Sequence, residues 1–434
     1  MGPVRNNGHR IKIIMDKISN GMKLSEELEA RGFINQISCE SLAEILDGEK
    51  RTVYHGIDPT ADSAHAGNFV VWMLLRHLAT AGHKVIFLVG GGTGMVGDPK
   101  PDVERTLATL EEISGRVAKL KAQAERLLGG HELLFVNNYD WLSKIDLITF
   151  LRDIGKHFTI NELIKKDAIA NRLSSENGIS YTEFAYPLLQ AFDYLTLNRE
   201  QKCDLQVGGS DQWGNIIAGV DLVRRIEQKK VYALTVPLIV DKATGKKFGK
   251  SEGNAVWLDG EKTSPYAFYQ FWLNVSDESV IEYLKLFTLL SLEQIETIEK
   301  EFTADASTRS AQKILAYEVT AFVHGKEATE AVVHASQSLF GEVEFSSLSS
   351  DEIIILRNNA PYSEITEGAL MLDVLVSSGL AASKREARTF IEDGAVSVNG
   401  AKVDDPTLSI SSKMYGKIAL IKRGKKQVSL ISFI

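Results

Sequence analysis

Residues 52–89 read TVYHGIDPTADSAHAGNFVVWMLLRHLATAGHKVIFLV. Thr52 to Ile57 is a short run suited to a strand, and Asp58 to Ser63 is a polar turn. An apolar segment then opens near Ala66, with Val70, Val71, Leu74, Leu75 and Leu78 at the 3.6-residue helical period, and Gly82 marks its stop. Lys84 to Val89 is a β-branched run that reads as a buried strand. Together these predict a βαβ unit, hence a parallel sheet that binds its ligand at the carboxyl ends of the strands.

Working outward, helical periodicity covers residues 103–128 and 141–200, broken by Asn177-Gly178. Val231 to Val240 reads as a further strand, followed by a polar loop from Asp241 to Asn254. Residues 264–340 carry several amphipathic helical patterns with few glycines. Residues 345–363 are serine-rich and contain Asn358-Asn359-Ala360-Pro361, which predicts a linker. The portion from Leu370 to Ile434 starts as helix and continues as short β-type runs. Residues 1–21, with Gly2-Pro3, Asn6-Asn7-Gly8 and Asn20-Gly21, read as an appended arm, and Met22 is an alternative start.

The chain has 434 residues, more than one hydrophobic core accommodates, so two to four domains are expected. Hydrophobic residues make up 44% and charged residues 24%, the balance of a folded globular protein and not of a disordered or fibrous one. No apolar run is long enough to span a bilayer, so a cytoplasmic location is expected. Cys39 and Cys203 stand singly among polar neighbours, which argues against a disulfide framework or a thiolate metal site. The net charge of −8 disfavours a surface wholly devoted to nucleic acid. From Ile365 onward, however, ten basic residues face seven acidic ones, so this end carries +3 and the remainder −11.

Gly92-Thr93-Gly94-Met95-Val96-Gly97 matches the G-x-G-x-x-G dinucleotide pattern after a strand. The match fails at Asp98-Pro99-Lys100-Pro101, because alternating prolines prevent the helix that would hold a pyrophosphate. Glycines here are better explained by backbone that must approach a ligand or another strand closely.

Two other stretches carry chemistry. His65 and Asn68, three residues apart at the start of a helix, point to one side beside backbone N–H groups and the positive dipole end. Two neutral donors so placed can stabilise charge that builds on a phosphate in a transition state. The bland reading of His65 is a helix cap. Gly245-Lys246-Lys247-Phe248-Gly249-Lys250-Ser251 places three lysines within five residues between glycines, a cationic loop suited to a polyphosphate.

Taken together, His65-Ala66-Gly67-Asn68 and Lys247-Phe248-Gly249-Lys250-Ser251 resemble the two signature elements of the class I aminoacyl-tRNA synthetase family. Asn68 stands where the family consensus has a second histidine, and Phe248-Gly249 stand where it has Met-Ser. The run Ser180-Tyr181-Thr182-Glu183-Phe184-Ala185-Tyr186-Pro187-Leu188-Leu189-Gln190-Ala191-Phe192-Asp193-Tyr194 resembles the tyrosine-pocket helix of the bacterial-type tyrosyl branch, and Val207 to Asn215 its next strand and turn. Tyr186, Gln190 and Asp193 fall at i, i+4 and i+7, so one helix face presents a phenol, an amide and a carboxylate.

The resemblance implies an α/β fold in parts: an extension over 1–21, a Rossmann-like parallel-sheet catalytic domain over 22–255, an all-helical anticodon-region domain over 256–344, a linker over 345–368 and a small α+β S4-like RNA-binding domain over 369–434. It implies activation of L-tyrosine with ATP and transfer to tRNA(Tyr) by a homodimer, with Mg2+ accompanying ATP and no prosthetic group. By the same resemblance Asp193 and Tyr54 hold the substrate phenol, Tyr186, Gln190 and Asp98 the ammonium group, and Gln206 lies near the reacting carboxylate. Gly56, Asp58, His65, Asn68, Gly209, Asp211, Gln212 and Ser251 fall to the ATP neighbourhood, and Lys247 and Lys250 to the leaving pyrophosphate. Lys100 and Arg105 are the candidates for the cations of a phosphate-closing loop, although the run at Asp98 is one residue shorter than is usual. His55 is expected beside the ribose without a catalytic role. Near the end of the chain, Lys384, Arg385 and Arg388 share one helix side and can meet RNA phosphates.

Two alternatives stand beside this. A tryptophanyl enzyme shares the fold, but an indole offers no phenol for Asp193 and Tyr54. A non-catalytic RNA-binding protein on the same scaffold would have no need of His65, Asn68, Lys247 and Lys250.

Overall fold

The structure, a computed structural model, describes residues 21–99, 108–174, 178–240, 242, 245, 250–251, 254–340, 342–424 and 427–434. The chain divides into two compact units, Met1–Asp259 with Val275–Ala311, and Gly260–Asn274 with Gln312–Ile434.

The first unit is built on a six-stranded sheet of β1 (Gln36–Ile37), β2 (Thr52–Ile57), β3 (Lys84–Val89), β4 (Leu133–Asn137), β5 (Leu205–Gly209) and β6 (Tyr232–Val236). Their order is β1-β6-β5-β2-β3-β4; β1 runs antiparallel at the edge, and the remaining neighbours are parallel. The chain winds outward from β2 to β4 and then returns to β5 on the other side of β2. The switch point is therefore between β2 and β5, where an open α/β sheet binds its ligand. β6 is shorter than the run 231–240 suggests because Pro237 has no N–H for the ladder.

Pairing across that switch is brief. β2 pairs with β3 along six positions and β5 with β6 along five, whereas β2 meets β5 only at Val53↔Leu205 and Tyr54↔Gln206. At their amino ends the two strands are tied by Asp204, which accepts from Thr52 N at 3.1 Å and from Arg51 Nη1 at 2.9 Å. Beyond Tyr54 they part, and a crevice opens between them.

Side chains alternate across β2. Tyr54 packs edge-on against Tyr194 among residues of the helices Tyr181–Gln201 and Trp213–Glu227. His55 faces the other way, against Phe87, whose ring also meets Trp72 of the helix Ala66–Thr80 at 5.2 Å. Trp72 and Phe87 are fully buried, and truncating either to Ala would cost about 3–5 kcal/mol.

The expected close approach of glycine backbone is found at Gly92 and Gly94, where a Cβ would lie 2.9 Å from Leu142 Cδ1 and from Pro59 Cδ, and it is closer still at the preceding Gly90. A Cβ there would lie 2.3 Å from both Asp58 Oδ1 and Thr93 Oγ1, so only glycine lets those two groups meet. The chain then makes a single 3₁₀ turn, Thr93–Met95, and residues 97–99 are not helical.

β7 (Lys250–Ser251) and β8 (Asn254–Ala255) form a small antiparallel pair. Helices Val280–Phe287 and Leu292–Ala304 complete this unit. The second unit includes helices Pro265–Leu273, Lys326–Phe340 and Ser350–Asn359, so regular structure reaches into the serine-rich stretch. Its sheet comprises β9 (Tyr362–Ile365), β10 (Val396–Val398), β11 (Ala401–Lys402), β12 (Ile418–Arg423) and β13 (Gln427–Phe433), ordered β11-β10-β12-β13-β9. Met371, Leu375, Ala387, Ile391, Val396 and Ile421 share its core with the helices Met371–Ser377 and Lys384–Glu392. Lys384, Arg385 and Arg388 lie on the last of these, all three exposed, and Lys384 Nζ pairs with Asp373 Oδ1 at 2.5 Å.

Candidate active site

Where β2 and β5 part lies a cavity of about 510 Å³. Its walls gather Tyr54, Gly56, Asp58, His65, Asn68, Asp98, Tyr186, Gln190, Asp193, Gln206, Gly209, Asp211 and Gln212. Every sequence-derived amino-acid or ATP residue from β2 to Gln212 is thus at one place. Lys100, Arg105 and Lys247 lie outside the described residues. Lys250 and Ser251 form β7, of which the backbone alone is described.

The helix Tyr181–Gln201 starts at a Ser180 cap, and its period brings Tyr186, Gln190 and Asp193 to the cavity. Asp193 is 2% exposed. Its Oδ1 accepts from Trp141 Nε1 at 2.7 Å and its Oδ2 from Asn138 Nδ2 at 2.9 Å. Burial pushes its carboxyl up to about 7, these donors pull it down, and Asp58 raises it. The second Asn138 N–H donates to Thr93 Oγ1 at 2.8 Å, Thr93 donates to Asp58 Oδ1 at 2.8 Å, and Tyr186 donates to Asp58 Oδ2 at 2.8 Å. One hydrogen-bonded chain therefore links Tyr186, Asp58, Thr93, Asn138, Asp193 and Trp141.

Three buried polar atoms on the cavity residues have no hydrogen-bond partner among the described residues: Tyr54 Oη, Gln206 Oε1 and His55 Nε2. An orphaned buried group is costly, and several converging on one cavity mark where a ligand's polar groups belong. Burial holds His55 down to about 4, so its ring is neutral, and the 3.2 Å contact of Nδ1 with Val207 O makes Nδ1 the donor. Nε2 is then an acceptor.

His65 caps the helix Ala66–Thr80, its Nδ1 accepting from Gly67 N at 3.0 Å. That bond sets the tautomer with the proton on Nε2. Asn68 Oδ1 accepts from His65 N at 3.2 Å, which leaves the amide NH2 to donate. The backbone N–H groups expected to face the ligand are instead engaged, Ala66 N with Val256 O at 2.8 Å and Asn68 N with His65 O at 2.8 Å. Donation toward a ligand here falls to side chains. His65 is thus both the cap of its helix and a wall of the cavity.

Asp98 accepts from Gln212 Nε2 at 2.9 Å and Asn215 Nδ2 at 3.2 Å. Asp211 shares the cavity; a Cβ on Gly209 would lie 2.6 Å from Asp211 Oδ1, so glycine at the end of β5 makes room for that carboxylate.

Sequence reasoning missed Asn138, Trp141 and Thr93. A usable signal was Leu133-Leu134-Phe135-Val136, an apolar run between Gly129-Gly130 and Asn137-Asn138, which marks β4 and the turn beyond it.

A sheet with a polar-lined cavity at its switch point, a helix-capping His-x-x-Asn pair and a carboxylate-bearing pocket helix define the class. Residues 46–341 match the family model of tRNA synthetases class I (W and Y), and the chain belongs to that family, whose members use ATP as substrate. Residues 352–431 match the Tyrosine--tRNA ligase SYY-like C-terminal domain. The tyrosine–tRNA ligase of Laribacter hongkongensis is 48% identical over 94% of this chain and 97% of its own length. That of Streptococcus mutans is 46% identical over 95% of this chain and 100% of its own. A C-terminally truncated mitochondrial tyrosyl-tRNA synthetase from Aspergillus nidulans superposes with a TM-score of 0.67 at 32% identity, over 73% of this chain and 94% of that one. Within the family, the chain belongs to the tyrosine–tRNA ligases.

Proposed function

We propose that the chain activates L-tyrosine with ATP and then passes the tyrosyl group to the 3′ end of tRNA(Tyr). In the first step a carboxylate oxygen of tyrosine attacks the α-phosphorus of ATP. The bond from that phosphorus to the β-bridging oxygen breaks, and pyrophosphate leaves with the electron pair. In the second, a terminal ribose hydroxyl attacks the adenylate carbonyl and AMP leaves. No side chain need be nucleophile or base; positioning and charge stabilisation suffice.

The observation that carries this reading is the joint lining of one cavity by Asp193 and the unpartnered Tyr54 hydroxyl, suited to a phenol, and by His65 and Asn68, suited to a phosphate. Tyr186, Gln190 and Asp98 take the ammonium group, Gln206 the carboxylate, and Gly56, Asp58, Gly209, Asp211, Gln212 and Ser251 the nucleotide. Lys247, Lys250 and Arg105 meet the polyphosphate. β8 runs into residues 256–258, which bond to both sides of His65 through Ala64 and Ala66, so the chain leaving Lys250 is anchored at that turn. Mg2+ enters as part of the nucleotide substrate.

Lys384, Arg385 and Arg388 serve RNA in an S4-like domain. The enzyme works as a homodimer in the cytoplasm; no helix among the described residues is long and apolar enough to cross a membrane. Leu147, Ile148, Ile160 and Tyr181, each more than half exposed, supply an apolar surface for the second copy.

Pyrophosphate exchange into ATP, with all twenty amino acids offered separately, tests the reading. Exchange with tyrosine alone supports it. Exchange with tryptophan, or none from folded protein, overturns it.

A further inference from the structure

The turn that carries His65 is gripped from both sides by groups with no assigned contact to substrate. On one side lies the helix Leu110–Leu128. Its Gln123, 9% exposed, accepts from Ala64 N through Oε1 at 2.8 Å and donates from Nε2 to Ser63 Oγ at 3.1 Å. Ser63 Oγ in turn donates to Ala64 O at 2.8 Å. Lys119 reaches Asp62 at 2.9 Å and Arg116 reaches Pro59 O at 3.4 Å from the same helix. On the other side Val256 O accepts from Ala66 N at 2.8 Å, and Leu258 N donates to Ala64 O at 2.9 Å.

Of the three helix contacts, Gln123 is the buried one. The Lys119–Asp62 pair is solvated, with Lys119 58% exposed, and surface pairs of this kind contribute little. The Gln123 amide is also bidentate. It fixes the two residues immediately before His65, whose extended backbone at φ −116° and ψ 169° lets the ring fold back onto Gly67 N. Without that amide, Ala64 N is a buried donor with no acceptor, and the turn must rearrange to satisfy it. His65 Nε2 would move with it.

We propose that Gln123 is a positioning residue for the activation step. It holds Ser63-Ala64 so that His65 presents Nε2–H to the charge developing on the ATP phosphates. This rests on the synthetase reading above and adds to it a residue that itself touches no substrate. Misplacing an electrostatic donor by about 1 Å costs on the order of 100-fold in rate, whereas ground-state binding elsewhere in the cavity is unaffected.

The test compares Gln123→Leu and Gln123→Glu with the wild-type enzyme in tyrosine-dependent pyrophosphate exchange, with tyrosine affinity measured separately by calorimetry without ATP. Glutamate keeps the acceptor for Ala64 N, and Ser63 can turn its one proton from Ala64 O, which keeps Leu258 N, to the second glutamate oxygen. Gln123→Leu should lose about 10- to 100-fold in kcat with tyrosine Kd and KM within about twofold of wild type, and Gln123→Glu should recover most of that loss. Three results would overturn the proposal: an unimpaired Gln123→Leu, a parallel loss of tyrosine affinity, or a Gln123→Glu as slow as the leucine variant. Absence of exchange in the wild type overturns the synthetase reading itself, and with it any role for Gln123 in activation.

Discussion

The indole N–H of Trp141 donates to Asp193 Oδ1 at 2.7 Å, so a carboxylate almost out of water is held by a group from the turn after β4, fifty-two residues earlier in the same crossover. Asn138 takes the other oxygen and passes its second N–H to Thr93, which donates to Asp58. The two acids of the site, Asp193 buried and Asp58 half-buried, thus share a neutral, hydrogen-bonded bridge between them, which keeps like charges apart while orienting both.

That arrangement makes stability depend on pH in a definite direction. Asp193 is pushed up to about 7, above its ordinary value of 3.8, so the native state keeps this proton when the unfolded chain has lost it. Its contribution is most favourable below about pH 4 and is lost as pH rises toward 7. Asp193→Asn removes the titration. Relative to wild type, the Asn variant should gain stability as pH rises across that window, by up to about 1 kcal/mol per pH unit. Urea unfolding of both proteins at pH 5, 6, 7 and 8 checks this; a pH-independent difference would refute it.

Tyr54 tests the orphaned groups. Its hydroxyl is buried without a partner among the described residues, so the free protein bears a desolvation cost that a bound phenol would relieve. Tyr54→Phe should therefore stabilise the free protein by about 1 kcal/mol while raising the tyrosine KM about tenfold. Thermal unfolding and exchange kinetics on the same preparation would show both. A destabilised Tyr54→Phe would mean that this hydroxyl is satisfied in solution.

The βαβ start was legible because strand and helix periods are local properties, and the structure follows Thr52–Ile57, Ala66–Thr80 and Lys84–Val89 closely. The pocket face of the helix Tyr181–Gln201 was legible for the same reason: i, i+4, i+7 geometry needs no tertiary information. Asn138 and Trp141 were not, since their role depends on β4 pairing with β3 and so carrying the next turn to Asp193, a long-range fact without a periodic trace. The free N–H groups expected at the His65 helix were misjudged because Val256 comes from a part of the chain nearly two hundred residues away.

His65 joins two roles that separate variants can divide. As a cap, Nδ1 satisfies Gly67 N, and losing it should cost about 1 kcal/mol. As a donor, Nε2–H stabilises transition-state charge, and losing it should cost about 100-fold in kcat. His65→Ala is expected to lose both. Asparagine is a good cap but cannot reach as far, so His65→Asn should regain the stability and leave kcat low. Recovery of both together would show that the histidine acts through the helix alone.

The basic helix of the second unit can be probed by salt. Lys384, Arg385 and Arg388 sit beside a core made of Ala387 and Ile391 without belonging to it, so replacing them should leave folding intact. Lys384 is partly neutralised by Asp373 at 2.5 Å, whereas Arg388 has no such carboxylate among the described residues. Each phosphate contact contributes about 0.7–0.9 to the slope of log affinity against log salt. Arg388→Ala should lower the tRNA-binding slope by nearly that amount, and Lys384→Ala by less. Filter binding from 50 to 300 mM salt, with exchange as the control, separates the outcomes. Exchange needs no tRNA and should not change. Identical slopes for wild type and both variants would place the RNA contact elsewhere.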